Sequence, residues 1–292
     1  MKNAKNLFSF KNIIAIVLIF ALFISIPFGG SKSTAYADEG APVVYYDDIV
    51  YNSSGSSHVL DNYQISYDEV EVSFHNNGNA PSLGLHENDI ENACATLAGA
   101  NIVTFYDRYF PDLLPNFEPG AITPFGFYAY YPDLGADATI SLVRNLHNLM
   151  NSHDGTTEAE FRSGMQTFLS GKSRSISYQS IKTSSTSVDL NALDQAFAQN
   201  KVALLMCSTY NYVSSLGANE EAKILNVPKV NSYVGHMMVV YGYDTYDCYV
   251  EGELIYSGVF LQISSCYPDG DTGYIQLYDD LTIENAYIVT IS

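Results

Sequence analysis

Two residues in this sequence are placed to do covalent chemistry. Cys94 lies in the stretch Asn88-Asp89-Ile90-Glu91-Asn92-Ala93-Cys94-Ala95-Thr96-Leu97-Ala98-Gly99-Ala100-Asn101. Polar, carboxylate-rich residues come first; then Cys94, Leu97, Ala98, Ile102, Phe105 and Tyr109 recur at three- and four-residue steps. That spacing predicts a helix with the thiol in its first turn, ended by Pro111. Unpaired N–H groups and the positive end of the dipole favour a thiolate there. The same pattern also suits a buried helix with a structural cysteine. Alanines 93, 95, 98 and 100 with Gly99 give it a thin waist, as a central helix needs. The second residue is His236, after Gly235 at the start of an apolar run through Tyr243. An imidazole in such a strand needs a polar partner. A core histidine bonded to backbone is the plainer reading; with a thiol opposite, the ring becomes a base for nucleophilic catalysis.

The elements that must position these two are set by periodicity. Residues 42–80 read as β, with a Ser/Gly turn at 52–57. After the cysteine helix comes a proline-punctuated irregular stretch, then helices over 138–150 and 157–169, the second opened by a Thr157/Glu160 capping box. From 175 on the pattern is strand-like, with a helix over 190–198. Buried strands come next at 202–207, 233–243 and 259–264, with further strands at 274–278 and 287–291. The fold class is therefore α+β, an α-rich part with the cysteine followed by an antiparallel β part with the histidine.

Residues 1–37 have a lysine-bearing start, an apolar run and an Ala-x-Ala site before Asp38, the form of a secretory signal peptide. Of the 13 basic residues, Lys2, Lys5, Lys11 and Lys32 leave with it, so 9 remain against 32 acidic ones, a net charge near −23. That balance excludes nucleic acid and anionic membrane as partners and suits a secreted, extracellular protein. The four cysteines have no zinc-site spacing, and no metal or cofactor is expected. A Cys248–Cys266 bridge would fit two flanking strands, whereas Cys207 reads as core filling. Asp269-Gly270-Asp271-Thr272-Gly273 lacks the ligand spacing of a calcium loop, and His147 and His153 lack metal-ligand spacing. There is no Gly-x-Ser-x-Gly elbow for serine hydrolysis. Ala93 and Ala95 beside Cys94 argue against a cell-wall peptidase of the Asp-Cys-Ser type.

The residues around the thiol and the imidazole carry a resemblance. The run from Asn92 to Asn101, with Tyr106-Asp107-Arg108-Tyr109 after it, resembles the cysteine helix of the papain-like cysteine peptidases. Val234-Gly235-His236-Met237-Met238-Val239-Val240-Tyr241-Gly242-Tyr243 resembles their histidine strand, and Asn200-Lys201-Val202-Ala203-Leu204-Leu205 the strand before it. The likeness is nearest to secreted bacterial peptidases related to the double-glycine leader peptidases and covers roughly residues 85–280. It implies a two-lobed papain-like domain over 85–292; residues 38–84, β-rich by their own pattern, are either an N-terminal segment of the domain or a propeptide. It implies Cys94 as nucleophile and His236 as base in a thiolate–imidazolium pair, following the family's order of the two. The oxyanion would sit on the Cys94 N–H and a side-chain amide, Asn88 or Asn92. The family places Asn or Asp on the next strand to orient the histidine; here Ser264 or Ser265 stands there, with Asp244, Asp269 or Asp271 as further candidates. The expected function is hydrolysis of extracellular peptide or protein. Its alternatives are a degenerate exported module that binds a surface partner, or a β-rich adhesin with unrelated cysteines.

Overall fold

Chain segments with apolar residues at every position, rather than alternate ones, form the centre of this molecule, because both their faces are covered. The computed structural model describes residues 44–51, 57–76, 93–115, 120–122, 128–130, 137–152, 155–266, 272–279 and 281–292. The expected signal peptide, residues 52–56 of the turn expected at 52–57, Asn88, Asn92, His153, Asp269 and Asp271 lie outside them. Strands β1 (Val44–Tyr51), β2 (Ser57–Ser66) and β3 (Glu69–Asn76) come first, then α1 (Cys94–Asp107) and the hairpin β4 (Gly120–Ile122) and β5 (Tyr128–Tyr130). Next are α2 (Asp137–Met150), α3 (Glu158–Ser170), β6 (Ile176–Ser180) and α4 (Leu190–Ala198). The remainder is β7 (Val202–Val213), β8 (Gly217–Asn219), β9 (Ile224–Val227), β10 (Lys229–Ser232), β11 (His236–Val250), β12 (Glu253–Ser264), β13 (Thr272–Gln276) and β14 (Thr282–Ile291).

The α+β class expected from the sequence is what the chain adopts, with antiparallel pairing throughout the main sheet. Four strands close on themselves: β7 pairs with β11, β11 with β12, β12 with β13, and β13 returns to β7 at Tyr274–Val213. In β7 and β11 the alternation of side chains serves two cores at once. Leu204, Met206, Met237 and Val239 face the helices, while Ala203, Leu205, Met238 and Val240 join Leu261, Ile263 and Ile275 on the other side. Helices α1, α2 and α3 pack together on the first of these faces. Every residue of α1 from Ala95 to Asp107 is buried, as a central helix requires. The thin waist is real at Gly99, where an added Cβ would stand 2.8 Å from Met150 Cε and 3.0 Å from Met165 Sδ. Tyr109, expected on the buried face, is instead 42% exposed, because the helix has ended at Asp107. The Thr157/Glu160 capping box is present, with Glu160 N–H donating to Thr157 Oγ1 and Thr157 N–H to Glu160 Oε2.

The N-terminal strands belong to the same sheet: β3 pairs along β11, and β2 runs between β10 and β9. His75 on β3 is held by Asp194 of α4 at 2.9 Å and stacks on Tyr243 of β11, whose hydroxyl donates to the same carboxylate. All four cysteines are free thiols. A Cys248–Cys266 bridge is excluded by register: Cys248 pairs with Tyr256 at one end of the β11–β12 ribbon, and Cys266 comes just after Ser264 at the other. A second tie was not legible in the sequence. Lys229, 2% exposed, donates to Asp279 Oδ2 at 2.7 Å and lies over the Tyr63 ring. No helix among the described residues is long and apolar enough to cross a membrane.

Removing the carboxylate in Asp279→Ala strips a buried ammonium of this counter-charge. The expected loss is about 3 kcal/mol of unfolding free energy, read from urea denaturation.

Candidate functional site

The helix carrying the cysteine starts without a capping side chain. Its N-cap is Ala93, and no carboxylate stands in the first turn. The open N–H groups lie beside the thiol. The backbone N–H dipoles of Met237, at the start of β11, and of Ala95 and Cys94 favour the anion of the Cys94 sulfur. Burial acts more strongly in the opposite sense and raises the thiol above its ordinary value near 9. The Met237 contact fixes the topology of the site: the first residues of β11 lie against the first turn of α1.

His236, the residue before Met237, is buried and stacks on Tyr210 with ring centroids 5.2 Å apart. Its Nε2 lies 2.7 Å from the Ser265 carbonyl oxygen. A carbonyl only accepts, so Nε2 carries the proton and the neutral ring keeps its lone pair on Nδ1. Burial lowers His236 from 6.5 to about 4, with the Ser265 carbonyl opposing in part. Cys94 and His236 line one cavity of about 320 Å³, whose walls include Met206, Met237, Thr156 and Glu284. The two residues singled out from the sequence are thus brought to one space.

The third position is filled differently from expectation. Ser264 and Ser265 are where the sequence placed them, at the end of β12 and fully buried, but the bond to the imidazole comes from the Ser265 backbone carbonyl. Asp244, another candidate, accepts from Gln262 Nε2 at 2.6 Å. The residue after Ser265 positions the carbonyl. Cys266 has φ 57°, its thiol donates to the Ser264 carbonyl at 3.5 Å, and its sulfur accepts from Asn101 Nδ2 of α1 at 3.5 Å. Thr96 of α1 and Thr156 of the cavity lining both donate to Ser152 Oγ, at 3.2 and 2.7 Å. Neither Asn101, Cys266 nor this threonine pair stood out in the sequence as part of the site, since each acts through a neighbour across the fold. Among the described residues no group of three metal-ligating side chains converges.

Comparison of the chain with protein-family models, with curated proteins and with solved structures finds no match to any of the three.

The lowered histidine has a consequence for stability. Its folded value lies below its unfolded one, so the contribution of the neutral ring is complete above pH 6.5 and is lost as pH falls toward about 4. Asp107 and Asp244, pushed up to about 6 by burial, act in the opposite sense below that pH. A matched pair separates the two effects. The urea-midpoint difference between wild type and His236→Gln should differ at pH 5 from pH 7, shifting against the wild type on acidification.

Proposed function

We propose that this protein is a secreted cysteine peptidase of papain-like, two-lobed fold, acting on extracellular peptide or protein. The observation that carries the reading is the meeting of Cys94 and His236 at one cavity, the thiol at the start of a buried helix and the imidazole at the start of a strand. The closed ring of β7, β11, β12 and β13 behind that helix supports the two-lobed description. In this reading Sγ of Cys94 attacks the peptide carbonyl carbon while Nδ1 of His236 takes the thiol proton. The same proton passes to the leaving amine as the C–N bond breaks. Water then attacks the acyl-enzyme with Nδ1 as base, releasing the acid and restoring the thiol. The oxyanion is met by the Cys94 N–H and by a side-chain amide, for which Asn88 and Asn92 are the candidates. The Ser265 carbonyl takes the orienting part assigned in the family to Asn or Asp. Because burial disfavours both charged forms, the pair rests as thiol and imidazole, and the thiolate forms as it attacks.

That same disfavour supports a second reading, a papain-like exported module that has lost catalysis and binds a surface partner. Chemical modification separates the two. Under the peptidase reading iodoacetamide modifies Cys94 ahead of Cys207, Cys248 and Cys266, at a rate that keeps climbing past pH 9. In His236→Ala, hydrolysis of a peptide mixture should fall by about a hundredfold or more. Should Cys94 prove as inert as Cys207, the binding module is the better description.

A further inference from the structure

The catalytic pair says nothing about which peptides are taken, but the cavity it lines carries one charge. Strand β14 runs along β7 with Ile283 opposite Cys207 and Asn285 opposite Met206, so Glu284 is an extra residue in the ladder, a β-bulge. Bulges bend a strand and re-aim a side chain, often beside a functional cleft. Here the bulge puts Glu284 on the cavity that Cys94 and His236 share, next to the apolar Met206 and Met237. Glu284 is exposed. Among the described residues no hydrogen bond or ion pair holds its carboxylate. Lys182 donates instead to the Glu284 backbone carbonyl, at 2.9 Å. No other charged carboxylate or ammonium lines this cavity among the described residues.

We infer that Glu284 is a specificity residue that binds a lysine or arginine side chain of the peptide held at Cys94, so that the substrates are cationic peptides. This rests on the peptidase reading and deepens it. The shape of the wall fits such a side chain: the two methionines cover the methylene stem and the carboxylate meets the charged end. The bulk charge acts in the same direction, since an acidic protein of net charge −19 draws cationic peptides to its surface before any contact is made.

The test uses three peptidyl acyloxymethyl ketones that differ at one residue: lysine, norleucine of nearly equal stem length, and glutamate. In each, the Cys94 sulfur forms a bond to the ketone's methylene carbon and a carboxylate leaves. Second-order labelling rates at Cys94, mapped by mass, are compared within each protein, so every variant is its own reference. Wild type should label with the lysine probe about tenfold faster than with norleucine, and slowest with glutamate. In Glu284→Gln the lysine preference should fall to about one, and in Glu284→Lys the glutamate probe should lead. The wild-type preference should also shrink with rising salt. An unchanged lysine-to-norleucine ratio in Glu284→Gln, with Cys94 still labelled, overturns the role of Glu284 and leaves the peptidase reading standing. No labelling of Cys94 by any of the probes or by iodoacetamide overturns both.

Discussion

Everything proposed for this molecule depends on one contact, the packing of the first turn of α1 against the first residues of β11. The contact is possible because α1 has small residues where neighbours crowd it and is buried over its whole length after Cys94. A helix buried in this way must have its terminal N–H groups answered inside the protein. No serine, threonine or aspartate does so at Ala93, and the N–H dipoles of this turn and of Met237 favour the Cys94 anion instead. The missing cap and the polarised sulfur are thus two sides of one arrangement.

The same burial sets the limits of the chemistry. Moving a thiolate and an imidazolium out of water costs more than three backbone dipoles and one carbonyl return, which is why both groups are shifted toward their neutral forms. A carboxylate against the imidazole would have reversed this for the histidine. The carbonyl that stands there fixes the tautomer and ring direction while adding little to the ring's basicity. Orientation and charge stabilisation, often supplied by one side chain, are here separated.

The parts of the fold legible in the sequence are those that periodicity can see. The cysteine helix, the capped helix after it and the buried strands over 202–207 and 259–264 were readable because apolar spacing is a local property. The histidine stood out because it breaks an apolar run, and the cysteine because it falls in the first turn of a helix. The ring closure of β7 through β13 was not readable, since pairing between distant strands leaves no mark in either one. The orienting group was sought among side chains, and a backbone carbonyl has no letter in a sequence. Glu284 was equally hidden: its importance comes from one extra residue in a strand ladder, and an acidic residue among 32 acidic ones carries no signal. Lys229 could not have been placed in the interior from its type, because lysines are seldom found there without a partner.

The left-handed conformation at Cys266 places an unusual kind of demand on the gene. The oxygen that meets the ring belongs to the main chain, so its presence does not depend on the letter at 265. The burden moves to 266, where asparagine or glycine would accept the backbone readily and valine or isoleucine would resist it. In descendants of this chain, the fingerprint of an oriented imidazole would be a tolerated turn geometry, one residue beyond the atom that does the orienting.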